Sequence, residues 1–578
     1  MIFGSFCRLV RECPDSPAFL VASGDRSLPI SWRQFADDVA AVAEGIANEH
    51  PGGKIAILGE NSYEWMVAHA AIVFSGATVV PLDVNLTAGE ISARLAKVGA
   101  EVLVHSALYT EKASDVRALS PGILVGAFGS AESEKFFASY RAKIAATGRS
   151  LSDLPPPDEN RTAMIVFTSG TTSEPRGVEL TLAGMAAFSR FAASQLKIEA
   201  GSRSLMLLPL FHIYGIAVVY AMLSHGVTLG ICPDFRRIYD AVMRFKSDFL
   251  FLVPALADIL AVKCEQRSRI AASARESALK WICSGGAPLS PQTHSRLKSL
   301  GIKVFAAYGL TETTALYSIS RFDDDIPVGS AGKVCDLAGV ETRVSPDGEL
   351  MIRGVNVFKG YYGDEERTRE KKTDDGWFLT GDTGRIDADG TVWVIGRKNR
   401  TIVLSSGKKI APEDLETRIL LFPGMREVIV RGDGDSREIS AEIFADLPPE
   451  QVHAAVDSMN RALPIYMRIR KVYVRSKPFP RTASGKIVLS VPAPPKRTRM
   501  LKPLMISLGV LTILVFVLDV FYYVCDRNNL EMSGMMGKLS IVNELVGEVL
   551  LVVFAVTVLS MARKLKSAFA GRRSKRGS

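Results

Sequence analysis

Apolar runs that stop abruptly in loops of small, hydroxyl and aromatic residues constrain this chain more than any other feature. Ile165-Val166-Phe167 breaks into Thr168-Ser169-Gly170-Thr171-Thr172-Ser173-Glu174-Pro175-Arg176-Gly177 and turns apolar again at Val178. The loop holds five hydroxyl side chains, two glycines and one arginine. Gly170 and Gly177 permit backbone shapes that other residues resist. Successive backbone N–H groups in such a turn can form an anion-binding concavity, and Arg176 adds a fixed charge with a fork of donors. Alone, the loop reads first as a solvated surface turn. Similar junctions follow. Ser204–Leu208 runs into Pro209-Leu210-Phe211-His212-Ile213-Tyr214-Gly215, and Trp281-Ile282-Cys283 into Ser284-Gly285-Gly286-Ala287-Pro288-Leu289. Val304-Phe305-Ala306 runs into Ala307-Tyr308-Gly309-Leu310-Thr311-Glu312-Thr313. Four junctions in about 150 residues point to one composite site at the carboxyl ends of a sheet.

The surrounding periodicity gives the fold class. Trp32, Phe35, Val39, Val42 and Ile46 form one helical face, with Ser31 and Gln34 fitting a capping box. β-rich runs at Lys54–Leu58, Ala77–Leu82, Glu101–His105 and Ile123–Phe128 alternate with helix-like Tyr63–Phe74 and Ala88–Val98. That alternation indicates an α/β domain with a largely parallel sheet. A length of 578 residues calls for several domains. The seven cysteines form no CxxC pair and no Cys/His cluster, so a disulfide framework or structural zinc is not expected. Of the net charge of +9, residues 1–495 carry only +1, which argues against a nucleic-acid partner.

Taken together and in order, these junctions resemble the adenylate-forming (AMP-binding) superfamily, which includes acyl-CoA synthetases such as fatty acid–CoA ligases. Further matches are Gly348-Glu349-Leu350, Gly360-Tyr361-Tyr362, Gly376-Trp377-Phe378-Leu379-Thr380-Gly381-Asp382 and Gly396-Arg397-Lys398-Asn399. The stretches Ser406–Glu416 and Pro480–Ile487 complete the series, so the resemblance covers roughly residues 15–490. It implies a large multi-subdomain α/β domain, 1–396, followed by a small mobile α+β domain, 397–490.

The resemblance also implies roles. Family enzymes join a carboxylic acid to the α-phosphate of ATP, release pyrophosphate, and pass the acyl group to a thiol. Bringing a carboxylate against a polyanion makes charge neutralisation the central demand. Thr168, Ser169, Gly170, Thr171, Thr172, Arg176 and Gly177 resemble the loop that holds the β- and γ-phosphates. Glu312 matches the Mg²⁺ ligand. Gly285, Gly286, Ala287, Pro288 and Tyr308, with Gly309 and Thr311, resemble the adenine side. Asp382 matches the acceptor of the ribose hydroxyls, with Arg397 its neighbour. Lys486, Glu312, Thr171 and His212 are the catalytic candidates, with Lys486 reaching the acyl carboxylate and α-phosphate. His212 would border the acyl pocket, although a lone histidine is more often structural. The pivot between domains would be Asn399, and Ser406, Gly407, Lys408 and Lys409 would form the face for thiol capture. Ser173 stands where the family usually has Gly, Arg176 where it has Lys, and Asn399 where it has Asp or Lys.

His212 occupies the place where amino-acid-activating relatives carry Asp, so an amino acid substrate is not expected. The apolar Ile213–Leu223 fits an aliphatic or aryl acid, and Asn61-Ser62-Tyr63-Glu64-Trp65 resembles long-chain fatty acyl-CoA synthetases. No carrier domain is apparent, so the thiol is CoA or a separate acyl carrier protein.

Beyond the resemblance, a Pro-rich and basic linker, 491–502, precedes an apolar segment, 503–525, a loop, 526–538, a second apolar segment, 539–562, and a basic tail, 563–578. Leu504–Cys525 has one charge, Asp519, and at 1.5 Å per residue spans about 33 Å, enough to cross a bilayer core. Leu545–Ala562 has one charge, Glu548. Basic residues outside both segments place a helical transmembrane hairpin with the catalytic domains on the cytoplasmic side. The leading expectation is a membrane-anchored ATP-dependent fatty acyl–CoA ligase. The alternatives are an acyl-AMP or acyl-carrier ligase for a fatty or aryl acid, and a catalytically silent nucleotide-binding scaffold.

Overall fold

The alternating signals of the first 180 residues form a six-stranded sheet in the computed structural model of the chain. Its order is Leu124–Phe128, Val102–Ser106, Lys54–Leu58, Thr78–Leu82, Thr162–Thr168 and Arg176–Thr181. Every pairing is parallel except the last, an antiparallel hairpin. The structure describes residues 2–23, 26–128, 150–168, 175–232, 234–270, 279–324, 327–404, 409–432, 438–480 and 487. These lie in one compact unit, Met1–Ser490, whereas a second unit, Val491–Ser578, lies outside the described residues. The expected linker, membrane segments and basic tail fall in that second unit. No helix among the described residues is long and apolar enough to cross a membrane.

Local chemistry sets the helix bounds. Tyr63–Phe74 starts where Ser62 accepts from Trp65 N, and Ala88–Val98 starts at a reciprocal Thr87–Glu90 capping box. That helix stops at Gly99, whose φ of 63° few other residues tolerate. At Trp32–Glu49 the Ser31 hydroxyl accepts from Gln34 N at 3.2 Å, but the Gln34 side chain does not return the bond, so the expected capping box is only half made. Trp32, Phe35 and Val39 on this helix are buried in the main core, and Val42 and Ile46 pack against it.

Three further sheets complete the large domain. One runs Arg26–Ser31, Pro17–Ser23, Thr228–Ile231, Arg203–Met206. A second runs Phe249–Leu252, Trp281–Ser284, Lys303–Tyr308, Ser318–Ile319, Lys333–Val334. The third is antiparallel, Val340–Val344, Glu349–Gly354, Phe378–Ile386, Val392–Arg397. The four junctions therefore end on three different sheets, which corrects the expectation of a single sheet. Residue pattern reports how buried a strand is, not which neighbour it pairs with. After Arg397, a three-stranded sheet of Met425–Gly432, Ile439–Ala445 and Ile469–Arg475 packs with helices Pro412–Leu420 and Pro449–Ala462 around a separate core that includes Leu415, Ile443 and Val456.

The main core also buries a histidine. His69 Nδ1 lies 2.9 Å from Tyr220 Oη, its ring stacks on Trp65 at 5.0 Å, and its Nε2 has no partner among the described residues. Burial pushes its pKa down to about 3. The unfolded chain protonates this group near its ordinary value of about 6.5, so the folded state loses stability as pH falls below that value toward 3. The wild type is expected to lose up to about 1.4 kcal/mol more than His69→Gln per pH unit in this window. Urea unfolding of both proteins at pH 7.5, 6.0 and 5.0 checks this, and equal slopes would refute it.

Candidate functional site

Two clusters of bonded side chains form where the sheets end. In the first, Tyr308 closes the strand Lys303–Tyr308 rather than sitting in the following loop, and is paired there with Ser318. Its hydroxyl donates to Asp382 Oδ2 at 2.5 Å, and Arg397 Nε bonds Asp382 Oδ1 at 2.7 Å. Asp382 and Arg397 face each other in antiparallel register, so strand pairing itself sets up the ion pair. Only 3% of the Asp382 side chain is exposed. Burial pushes the Tyr308 phenol well above its ordinary pKa and the Asp382 charge pushes it the same way, so Tyr308 donates as a neutral phenol. Each carboxylate oxygen keeps capacity for another donor, such as a sugar hydroxyl.

In the second cluster, Glu312 Oε1 accepts from Tyr361 Oη at 2.9 Å, and Phe358 N donates to the Glu312 carbonyl at 2.8 Å. The Arg176 guanidinium lies 6.0 Å from the Tyr361 ring centroid. Burial raises the Tyr361 pKa, with Glu312 raising it further. Glu312 Oε2 accepts no hydrogen bond among the described residues. A carboxylate with one oxygen tied and one open suits a hard cation. No group of three or more His, Cys, Asp or Glu able to hold a metal occurs among the described residues. Mg²⁺ would therefore take Glu312 together with phosphate and water oxygens, its usual coordination.

Thr168, Arg176 and Gly177 prove to be strand residues. Thr168 pairs with Arg176 and Phe167 with Gly177 in antiparallel register. A Cβ on Gly177 would lie 2.7 Å from Ile165 Cγ2, so glycine is needed for this close pairing. Ser169, Gly170, Thr171 and Thr172 lie outside the described residues.

Of the residues expected on the adenine side, Gly285, Gly286, Ala287 and Pro288 follow the strand Trp281–Ser284. A Cβ on Gly285 would sit 2.9 Å from the Tyr214 ring, and Tyr214 Oη donates to Cys283 O at 3.4 Å. This contact brings the start of the helix Ile213–Ser224, capped by His212, against the Gly285 turn. Thr311 and Glu312 occupy the short helical turn Thr311–Thr313 after Gly309. Asn61 locks the His212 segment from a distant strand end: its Nδ2 donates to Leu208 O at 2.8 Å and its Oδ1 accepts from Leu210 N at 3.1 Å.

Asn399 lies between two clamps. Lys398 bonds Asp347 at 2.8 Å and Glu349 at 2.7 Å on the large domain. Arg400 bonds Glu413 at 2.8 Å and Glu416 at 2.6 Å on the small one. The buried Glu349 also accepts from Gly381 N at 2.7 Å, which ties this clamp to the Asp382 turn. Lys409 opens the short strand Lys409–Ile410, and Ser406, Gly407, Lys408 and Lys486 lie outside the described residues. Tyr361 and Glu349 stand within motifs that assign them no role, and nothing in the Asn61–Trp65 stretch marks Asn61 as a brace. Their partners lie 49, 32 and about 147 residues away, beyond any local pattern.

The model of the family described as AMP-binding enzyme matches residues 6–362. The long-chain-fatty-acid–CoA ligase FadD15 of Mycobacterium bovis is 28% identical over 461 residues, covering 70% of this chain and 75% of that protein. The 2-succinylbenzoate–CoA ligase of Enterococcus faecalis is 26% identical over 492 residues, covering 83% and 95%. The crystal structure of ATP-bound MatB from Rhodopseudomonas palustris is similar with a TM-score of 0.72 at 25% identity, covering 84% of this chain and 97% of that one.

Gly309 holds the turn between the two clusters, because a Cβ there would lie 2.2 Å from the Ala315 carbonyl oxygen. Gly309→Ala is expected to cost on the order of 3 kcal/mol in urea unfolding. A midpoint unchanged from wild type would show that this turn can give.

Proposed function

The chain belongs to the AMP-binding enzyme family, and from that premise we propose that it is a membrane-anchored ligase that activates a fatty acid and passes it to CoA. AMP-forming ligation of an acid to CoA, with ATP and Mg²⁺, is the activity at family level. The observation that carries the site assignment is the buried Asp382, held by Arg397 and by Tyr308, the strand residue from which the chain turns directly to Glu312 with its open oxygen.

In the first half-reaction a carboxylate oxygen of the acid attacks the α-phosphorus of ATP, and the bond to pyrophosphate breaks. Asp382 accepts from the ribose hydroxyls and so fixes where the α-phosphorus sits. Glu312 would hold Mg²⁺, which would supply positive charge against the phosphate oxygens. Arg176, placed by the hairpin over Tyr361, faces the leaving pyrophosphate with Thr168 and the loop Ser169–Thr172. Lys486 bridges the acyl carboxylate and the α-phosphate. In the second half-reaction the CoA sulfur attacks the acyl carbon, and AMP leaves with the bonding electrons. Rotation about Asn399 replaces Lys486 by the Ser406–Lys409 face between the two steps. The clamps at Lys398 and Arg400 support this, since they leave Asn399 as the residue between two fixed ends.

A fatty acid is favoured by the apolar helix Ile213–Ser224, whose buried residues beyond His212 are mostly aliphatic, Tyr220 being the aromatic exception. The apolar segments 503–525 and 539–562 anchor the enzyme with its catalytic domains on the cytoplasmic side, where an amphiphilic acid partitions into the bilayer.

A panel of acids from C2 to C18, with 2-succinylbenzoate and ferulate included, tests the reading through pyrophosphate release and thioester formation. Long-chain acids are expected to give the highest kcat/KM, and an aryl acid leading the panel would overturn the substrate assignment. Glu312→Gln and Lys486→Ala are each expected to lower adenylation by about 100-fold or more. The full chain should pellet with membranes after carbonate washing, while the chain ending at residue 490 should not.

A further inference from the structure

Lys371 is a cation of this site that neither the motifs nor the mechanism above uses. It is the last residue of the helix Glu365–Lys371, whose start is fixed by Asp364 Oδ1 accepting from Arg367 N at 3.0 Å. The Lys371 ammonium lies 3.5 Å from where a Cβ would sit on Gly381, the residue immediately before Asp382. Gly381 has φ of 76°, so the space above this turn is kept clear of a side chain by the backbone itself.

The charges around Lys371 belong to both clusters. Burial lowers its pKa, with Arg367 and Arg397 lowering it further, while Glu349 and Glu312 raise it. Lys371 thus stands within electrostatic reach of the ribose-side pair and of the metal-side carboxylate. Among the described residues it makes neither a hydrogen bond nor an ion pair. Neighbouring cations are engaged: Arg397 by Asp382, Lys398 by Asp347 and Glu349, and Lys372 by the Phe358 carbonyl at 3.1 Å. A half-buried ammonium without a partner costs free energy that an anionic ligand would recover.

We propose that Lys371 is a nucleotide-binding residue whose ammonium contacts the ribose–phosphate portion of ATP and of the acyl-adenylate. The proposal rests on the ligase reading above. Lys371 is carried on the same domain as Tyr308 and Asp382, not on the small domain that carries Lys486. It therefore keeps its contact through rotation about Asn399 and serves both half-reactions, whereas Lys486 serves only adenylation.

The test uses the full chain with Lys371→Met, Lys371→Gln and Lys371→Arg, and with Arg369→Met as a control on an exposed residue of the same helix. Direct AMP binding by calorimetry, KM for ATP, and thioester formation from supplied acyl-adenylate are measured beside thermal midpoints. Removing the charge is expected to weaken AMP binding and raise the KM for ATP by about 10-fold. It should slow thioester formation as well, with Arg recovering part of each effect and Arg369→Met changing none. AMP affinity and KM within about twofold of wild type would overturn the proposal, whatever the midpoint does. If no acid yields a thioester yet AMP binding still falls in Lys371→Met and Lys371→Gln, the ligase reading fails and the nucleotide contact stands. If the wild type binds neither ATP nor AMP, both fail.

Discussion

The buried carboxylate of Asp382 is the interaction on which the site depends. It joins the strand ending at Tyr308 to a distant hairpin whose two strands carry Asp382 and Arg397. A carboxylate with 3% of its side chain exposed survives only if both oxygens are satisfied. Tyr308 and Arg397 satisfy one oxygen each, so the charge fixes the relative placement of two sheets. Removing either donor would leave a buried charge under-compensated, which costs more than the bond itself contributes. The same pair that anchors the sheets therefore presents an anion of fixed position to whatever sits above the turn.

Much of this arrangement was legible in the sequence because it is local. The helices Tyr63–Phe74 and Ala88–Val98 are legible as helix-like stretches between β-rich runs, and the caps at Ser62 and Thr87 that start them are written within a few residues. Asp382, Glu312 and Arg397 were legible through ordered motifs. The composite nature of the site was legible too, but its distribution over three sheets was not, because strand pairing is a long-range choice. Tyr308 illustrates the boundary: its small and aromatic neighbours read as a loop, while pairing with Ser318 extends the strand through it. Asn61 and Glu349 lie in motifs whose pattern says nothing of their partners, and Lys371 lies in none. Each acquires its role from a partner supplied by the fold, and a single polar residue after an apolar run looks the same whether or not such a partner exists.

The region around Asn399 shows how ion pairs can hold the chain on both sides of one residue. Rotation at a single peptide requires that the chain on either side move as part of a rigid body. Lys398 is held by two carboxylates of the large domain, and Arg400 by two carboxylates of the small domain. Glu416 also accepts from Val430 N at 2.8 Å, which extends the second clamp into the small-domain sheet. Glu413 also accepts from Arg397 N at 3.3 Å, so the second clamp reaches back to the strand that ends before Asn399.

The phosphate side of the site follows the same logic through backbone pairing rather than charge. The contact between Gly177 and Ile165 leaves no room for a register slip in the hairpin, and the pairing of Tyr362 N with Gly177 O at 2.8 Å docks its second strand onto the Tyr361 segment. Arg176 is consequently delivered over Tyr361, and Tyr361 in turn orients Glu312. The arginine that replaces the family's lysine can stack on this ring through its planar guanidinium while keeping donors for phosphate, which a lysine ammonium cannot do in the same way. The position of Arg176 is thereby coupled to that of Glu312, with Tyr361 as the shared support: a shift of the hairpin would move the ring, and with it the donor that holds the carboxylate.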